Sequence, residues 1–331
     1  MKKIHILLKF KDGPWGGGNQ FLKALKGELA RMGAYENDPL KADVILFNSH
    51  HNIKELLKLK FRYPQKKFIH RIDGPIFLIR NKDLIIDKLI FKLSESIADF
   101  SIFQSNWSFK KCKELGFKNE SNSIIHNAPD CSIFNNVGKT LFKNSGKIRI
   151  IATSWSGNPN KGFDAYKYLD ENLDFKKYEF VFVGNSPINF KNAIHIKPLP
   201  SNDLAEELKK SDIYITASKN DPCSNSLIEA LSCGLPAIVL NDGGHPELIK
   251  AGGETFTSPK DILPKIEIVS DNYETYKNNI PAYKIQNIAK EYMQVANIIC
   301  DTPRSKNLTI PKYLSLYINA YSIKLRLLLK K

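Results

Sequence analysis

The sequence predicts an α/β fold made of two doubly wound domains in tandem, on three observations. Short apolar runs of strand length alternate with segments of helical period. The series occurs twice along the chain, and a polar, glycine-containing stretch separates the two occurrences.

In the first series, Ile4–Leu8, Val44–Asn48, Phe68–His70 and Ile102–Gln104 read as short buried strands. Helical patterns such as Asn19–Met32 and Ile85–Ile97 lie between them. The second series has strands at Ile148–Ala152, Phe180–Val183, Ile194–Ile196, Ile213–Thr216 and Ala237–Leu240. Gly162–Glu171, Asp203–Lys210 and Ser226–Cys233 read as its helices. Strand followed by helix, repeated, implies right-handed crossovers and mainly parallel sheets. The polar segment Asn135–Lys147 puts the boundary near residue 145. The expected domains are 1–145 and 146–285, with 286–331 as C-terminal helices and a basic amphipathic tail. Two such domains predict a cleft at the carboxyl ends of both sheets, where ligands bind.

Composition bounds the function classes. The chain has 331 residues, 42% of them apolar, enough for two cores of ordinary size. No stretch reaches the roughly 20 apolar residues of a membrane span. His5 and Lys9 interrupt the apolar opening Met1–Phe10, and no small-residue cleavage site follows, so it reads as a strand and not a leader. Five cysteines with no C-x-x-C pair fit a reducing, cytoplasmic setting. The scattered histidines and the absence of any D-x-D pair give no metal site. The net charge of +15 sits in the N-terminal half and the tail: residues 1–150 hold 27 Lys and Arg against 14 Asp and Glu, and residues 301–331 hold 7 against 1. Either a solvated lysine-rich surface or contact with something anionic accounts for this. No helix-turn-helix, zinc or RNA-binding signature is present, so nucleic acid is not an expected partner.

Three motifs carry candidate chemistry. Pro14-Trp15-Gly16-Gly17-Gly18-Asn19 follows the first strand and opens a helix, where glycines and free amides admit an anion. It lacks the G-x-G-x-x-G spacing of a dinucleotide site. Ser154-Trp155-Ser156-Gly157-Asn158-Pro159-Asn160-Lys161-Gly162 follows the first strand of the second series and offers Lys161 to a diphosphate. The third motif runs from Asp221-Pro222-Cys223-Ser224-Asn225-Ser226 through Glu229 to Gly234 and Pro236. Its helix, starting near Asn225 or Ser226, would aim its first amides at a phosphate. Asp221 is placed to accept from sugar hydroxyls, and Glu229 to grip a ribose diol. A plain capping box, Ser226 with Glu229, explains Glu229 equally well but leaves Asp221 and the Pro-Cys-Ser-Asn loop unexplained.

The stretch D-P-C-S-N-S-L-I-E-A-L-S-C-G-L-P resembles the acidic E-x7-E signature of retaining glycosyltransferase family 4, with Asp221 in the first acidic position. Asn158–Asp164 and Asp242-Gly243-Gly244-His245-Pro246-Glu247 fall where that family carries its K-G and G-G-x-x-E segments. His70-Arg71-Ile72-Asp73-Gly74-Pro75, Gln104-Ser105-Asn106-Trp107 and His126-Asn127-Ala128-Pro129 resemble its N-terminal landmarks. The likeness runs from about residue 4 to about residue 300, in the numbering of the full chain.

That resemblance implies the GT-B architecture and a metal-independent, retaining transfer from a UDP- or GDP-linked sugar to a glycan or lipid-linked acceptor. It implies no other cofactor. By position it implies that Gly16, Gly17 and Gly18 approach the donor diphosphate and sugar, and that Lys161 neutralises the leaving diphosphate. Ser154 belongs to the same donor loop, and Gly184 with the loop ending at Pro200 would line the base pocket. Asp221 and the amides of Cys223, Ser224, Asn225 and Ser226 would hold the transferred sugar, Glu229 the ribose, and His70 would stand near the reacting sugar. The sequence departs from the family at Trp155, where an arginine is common; Arg71 and Lys219 are candidate replacements. An epimerase of the same fold and a catalytically degenerate sugar-binding subunit remain open.

The tail, Ile310–Lys331, sets Leu314, Tyr317, Ile318, Tyr321, Leu325 and Leu328 at helical spacing beside Lys312, Lys324, Arg326, Lys330 and Lys331. It reads either as a helix packing back on the first domain or as an interfacial helix on anionic lipid, which would suit surface polysaccharide synthesis at the inner face of a membrane.

Overall fold

A computed structural model describes residues 1–11, 13, 16–80, 84–144, 146–302 and 306–329. Pro14 and Trp15 of the glycine motif, and Lys330 and Lys331 of the tail, lie outside the described residues, as do the side chains of Lys324 and Leu328. The chain divides into two compact units. One comprises Met1–Phe10, Leu22–His126 and Gln286–Lys331; the other comprises Lys11–Phe21 and Asn127–Ile285.

The first unit contains β1 (Ile4–Leu7), α1 (Gly17–Arg31, from Leu22 onward), β2 (Val44–Asn48), α2 (Ile53–Arg62), β3 (Lys67–Ile72), α3 (Ile76–Arg80), α4 (Ile85–Ser96), β4 (Phe100–Phe103), α5 (Asn106–Glu114) and β5 (Asn122–Ile124). Its five strands are all parallel in the order β1-β2-β3-β4-β5. One face of this sheet buries Ile45, Phe47, Phe68, Ile72 and Phe103 against Leu56 and Leu57 of α2 and Leu89, Ile90 and Leu93 of α4.

The second unit contains β6 (Ile148–Ser154), α6 (Phe163–Asn172), β7 (Tyr178–Gly184), β8 (Ile194–Ile196), α7 (Ser201–Lys209), β9 (Ile213–Thr216), α8 (Asn225–Ser232), β10 (Ala237–Leu240), α9 (His245–Ile249), β11 (Gly253–Phe256), α10 (Ile262–Asp271) and α11 (Tyr273–Asn278). Its six parallel strands run β11-β10-β9-β6-β7-β8. Successive strand residues serve opposite cores, as a period of two requires. Ile150, Ala152, Phe180, Phe182 and Ile238 pack with Tyr166, Leu169, Ile262 and Ile266. Ile151, Val181, Val183, Ala237 and Val239 pack with Leu208, Leu227, Leu231 and Leu248. Such strands, buried on both faces, read in sequence as continuous apolar runs.

The chain changes units between His126 and Asn127, not near residue 145. The polar segment expected to be a linker is held to the second unit. Phe134 is buried among Tyr214, Leu227 and Leu231, Thr140 donates its amide to the Lys209 carbonyl at 3.1 Å, and Lys139 Nζ donates to the Ser211 carbonyl at 2.5 Å. The C-terminal helices α12 (Ile285–Asp301) and α13 (Ile310–Leu329) belong to the first unit, apart from Ile285. The packed face of α13, set against α2 and α4, is Tyr313, Leu316, Ala320 and Ile323. Of the stripe singled out in the sequence, Leu314, Tyr317, Ile318, Tyr321 and Leu325 are exposed.

Candidate active site

The strand order of the second unit reverses at β6. The chain steps outward through β7 and β8, then returns to place β9 on the other side of β6. Loops leaving the carboxyl ends of β6 and β9 therefore diverge and open a crevice, the usual ligand position in such sheets. Lys161 lies on the first of these loops and Asp221 on the second.

Local chemistry sets the Lys161 loop. Asn158 caps a single 3-10 turn, Pro159–Lys161, its side chain accepting from the Asn160 amide at 2.9 Å. Gly162 then takes a left-handed φ of 72°, and a Cβ there would stand 2.2 Å from the Ala217 carbonyl oxygen at the end of β9. Only glycine allows that approach. The Lys219 amide donates to the Asn160 carbonyl at 2.7 Å, joining the two loops. Lys161 Nζ consequently lies 3.4 Å from Asp221 Oδ2 and 3.4 Å from Ser218 Oγ. Ser218 was missed in the sequence; its only signal is its place two residues past the end of β9.

Asp221 is fixed through its backbone and its carboxylate. Its carbonyl accepts from the Gly244 amide at 2.8 Å, and Gly243, with φ 65°, leaves no room for a Cβ beside that oxygen. Oδ1 accepts from the Cys223 amide at 3.3 Å. Asn220 donates its amide to Asp242 Oδ2 at 2.7 Å, so the Asp242–Glu247 segment buttresses the Asp221 loop. His245, fully buried, points Nδ1 at the Leu240 carbonyl at 3.3 Å.

Helix α8 begins at Asn225 with Ser224 as its N-cap, the Ser224 hydroxyl accepting from the Leu227 amide at 3.4 Å. The cap is thus Ser224, and Glu229 is not the partner in a capping box with Ser226. Asn225 and Ser226 donate their amides to nothing among the described residues, as expected of a helix start poised for an anion. The carboxyl group of Glu229, half-buried one turn further on, makes no hydrogen bond among the described residues. Burial without compensation pushes its carboxyl up to about 8. An acid left in this condition suits a ligand that supplies hydroxyl groups.

The other residues expected on the donor side lie at or after the ends of β1, β6, β7 and β8. Gly184 closes β7 at φ 130°, where a Cβ would overlap the Ser154 carbonyl oxygen. Ser154 Oγ donates to the Ser156 carbonyl at 2.9 Å. Pro200 precedes the first turn of α7, after the edge strand β8. Gly16 accepts the Asn19 amide at 3.0 Å as α1 begins, and Gly17 and Gly18 form the first turn. A Cβ on Gly16 would meet open space, whereas one on Gly17 would stand 2.0 Å from Asn225 Nδ2. Asn225 is itself held by Asn127, which donates Nδ2 to Asn225 Oδ1 at 3.0 Å.

His70 does not join a site. On β3 it shares parity with Phe68 and Ile72, so it points into the core. Its ring is fully buried, stacked on Phe47 at 4.2 Å, with Nδ1 2.6 Å from Ser94 Oγ and Nε2 2.9 Å from the Ser49 carbonyl. Burial holds its pKa down at about 3, so it stays neutral. Both nitrogens are committed, and the expectation that His70 faces a sugar is corrected. Arg71 is also spent: its buried guanidinium donates from Nη1 to Asp73 Oδ1 at 2.5 Å and to Asn48 Oδ1 at 2.6 Å. Burial opposes ionisation of Asp73, but Arg71, His51 and Asn48 outweigh it and hold the carboxyl below its usual range. Lys219, half-exposed beside Asp164 at 3.8 Å, remains the candidate for the missing cation.

Comparison with known proteins agrees with this geometry. Residues 157–285 match the family described as Glycosyl transferases group 1. The chain thus carries a group 1 glycosyl transferase domain within a GT-B fold of two parallel-sheet units. It is 30% identical over 122 residues to UDP-Gal:alpha-D-GlcNAc-diphosphoundecaprenol alpha-1,3-galactosyltransferase of Escherichia coli, a stretch covering 33% of this chain and 32% of that protein. It is 28% identical over 112 residues to a probable sucrose-phosphate synthase of Thermosipho melanesiensis, covering 32% and 25% respectively. These matches span a third or less of the curated relatives' length. Over most of the chain the fold is similar to sucrose-phosphate synthase from Thermosynechococcus elongatus, with a TM-score of 0.72 at 13% identity, covering 90% of this chain and 99% of that one. Anabaena HepE in complex with UDP and glucose gives a TM-score of 0.66 at 14% identity, covering 91% and 99%.

Proposed function

We propose that the chain is a retaining, metal-independent glycosyltransferase of family 4 type, moving a sugar from a UDP- or GDP-linked donor to a glycan or lipid-linked acceptor. The reading places it in surface polysaccharide synthesis, in the cytoplasm at the inner face of a membrane. One observation carries it: at the strand-order reversal of the second unit, the Lys161–Asp221 pair, two unpartnered helix amides and an unpaired Glu229 converge. The Escherichia coli relative, a galactosyltransferase with a UDP-linked donor and a diphosphoundecaprenol acceptor, supports the same choice of substrates.

In the transfer, the bond between the anomeric carbon and the diphosphate oxygen breaks as the acceptor oxygen bonds to that carbon. Negative charge gathers on the leaving diphosphate. Lys161 and the amides of Asn225 and Ser226 are preorganised to receive it, each such donor contributing ~3–4 kcal/mol at the transition state. The departing phosphate oxygen takes the acceptor's proton on the same face, which preserves configuration. Asp221 orients Lys161 and accepts from the sugar's hydroxyl groups, while Glu229 accepts from the ribose diol. Lys219 adds the second cation in place of the family's arginine.

A thermal-shift titration with UDP and GDP in EDTA tests the donor side, because a bound nucleotide stabilises the fold. Stabilisation should appear without metal; a shift only on adding Mg²⁺ overturns the metal-independent reading. Incubation with UDP-sugars should release free sugar slowly, and NMR of the product anomer should show retention. Absence of hydrolysis with every donor that binds would favour a degenerate sugar-binding subunit, to which Trp155 in place of arginine is suited. Recovery of an isomerised sugar nucleotide would favour an epimerase.

A further inference from the structure

The C-terminal helix α13 carries two apolar faces, and only one is used. Its packed face, Tyr313, Leu316, Ala320 and Ile323, joins the core of the first unit. A second set stands in solvent: Ile310 is 62% exposed, Leu314 50%, Tyr317 38%, Ile318 63%, Tyr321 64% and Leu325 48%. At about 100° per residue these six fall within one sector about 100° wide, turned away from the packed face. Between the two sectors runs a polar strip holding Lys312, Ser315, Asn319, Ser322 and Arg326. Six adjacent large apolar side chains in water are far from the scattered exposure that needs no explanation.

Charge selects the occupant. Residues 302–331 contain no Asp or Glu, and residues 301–331 hold seven Lys and Arg against one acid. No helix among the described residues is long and apolar enough to cross a membrane. An apolar stripe with two tyrosines, on a helix that carries cations and no acids, has the composition of a helix lying in a lipid interface. We propose that the exposed face of α13 seats the protein on an anionic lipid surface, to which the net positive charge of the tail draws it. The inference adds a docking element to the proposed function but stands on α13 alone, so donor hydrolysis and membrane binding can fail separately.

The test is flotation of the full-length protein with phosphatidylglycerol–phosphatidylcholine vesicles, compared with pure phosphatidylcholine. The protein should float with the anionic vesicles and be released as salt rises. Leu314→Asp with Ile318→Asp should lower partitioning tenfold or more, while leaving melting temperature and UDP-sugar hydrolysis at parent values. Lys312→Glu with Arg326→Glu should lower binding to anionic vesicles by a similar factor without touching any apolar contact. Failure of the parent protein to float, or equal flotation by both double variants, overturns the proposal. So does a parent dimer in light scattering that Leu314→Asp with Ile318→Asp converts to monomer, because a second copy would then cover the face.

Discussion

Lys161 Nζ stands 3.4 Å from Asp221 Oδ2, although sixty residues separate them in the chain. Both side chains keep part of their surface in solvent, so the pair contributes little to stability on its own account. Its value lies in holding a cation and a carboxylate together at the ends of β6 and β9.

Removing either partner should therefore cost activity more than stability. Lys161→Ala should lower turnover ~100-fold or more, because the charge proposed to face the leaving diphosphate is gone. Asp221→Ala should cripple turnover as well while sparing affinity for the free nucleoside diphosphate, since its proposed partner is the sugar. Steady-state kinetics with calorimetric UDP binding checks both. Parent-rate transfer by Asp221→Ala would remove Asp221 from the site.

Glu229 makes a pH prediction. Its folded-state value, raised to about 8, lies above the ordinary 4.5. The native state therefore binds more protons than the unfolded chain between those values, and its stability falls as pH rises through them. Glu229→Gln removes that loss, so the variant's melting temperature should gain on the parent's between pH 5 and pH 9. The same variant should bind UDP more weakly where Glu229 is ionised, because Gln offers the ribose diol one acceptor oxygen where the carboxylate offers two. Equal melting-temperature differences at both ends would show that Glu229 is already compensated.

Gly162 couples folding to the site. Gly162→Ala places a Cβ 2.2 Å from the Ala217 oxygen at φ 72°. The loop must shift, costing ~1–3 kcal/mol of stability and carrying Lys161 away from Asp221. Denaturant unfolding and turnover should both fall. Unchanged turnover per folded molecule would mean that the Lys161 position tolerates displacement.

His70 supplies the contrasting case. His70→Phe leaves the Ser94 hydroxyl and Ser49 carbonyl without their buried partner, a loss of ~1–3 kcal/mol. Turnover per folded molecule should stay at the parent level in an activity assay normalised by circular dichroism. A selective loss of turnover in a fully folded variant would return His70 to the chemistry.

Much of this was legible in sequence. Strand β2 reads in sequence as Val44–Asn48, its observed bounds, and β9 and β10 likewise, because a strand buried on both faces is an unbroken apolar run between turn residues. The order of the candidate residues along the chain was equally legible: Lys161 beside a glycine, then Asp221, then a helix carrying Glu229. The orientations were not. In Phe68-Ile69-His70-Arg71-Ile72, strand alternation puts neighbours on opposite faces, but nothing local says which face is core. Only the helices and strands around β3 turned His70 inward and buried Arg71 against Asp73.

Tertiary structure decided three further matters. It bound residues 127–144 to the second unit through Phe134 and Lys139, although their polar composition marked a linker. It chose between two apolar faces of α13 that the sequence presents as equals, packing Leu316 and Ile323 and leaving Ile318 and Tyr321 in solvent. It also set β9 beside β6, which alone brings Asp221 to Lys161. Period and turn chemistry are properties of a few neighbouring residues and can be read along the chain. Strand order and the covered face of a helix depend on long-range burial, which only the folded chain supplies.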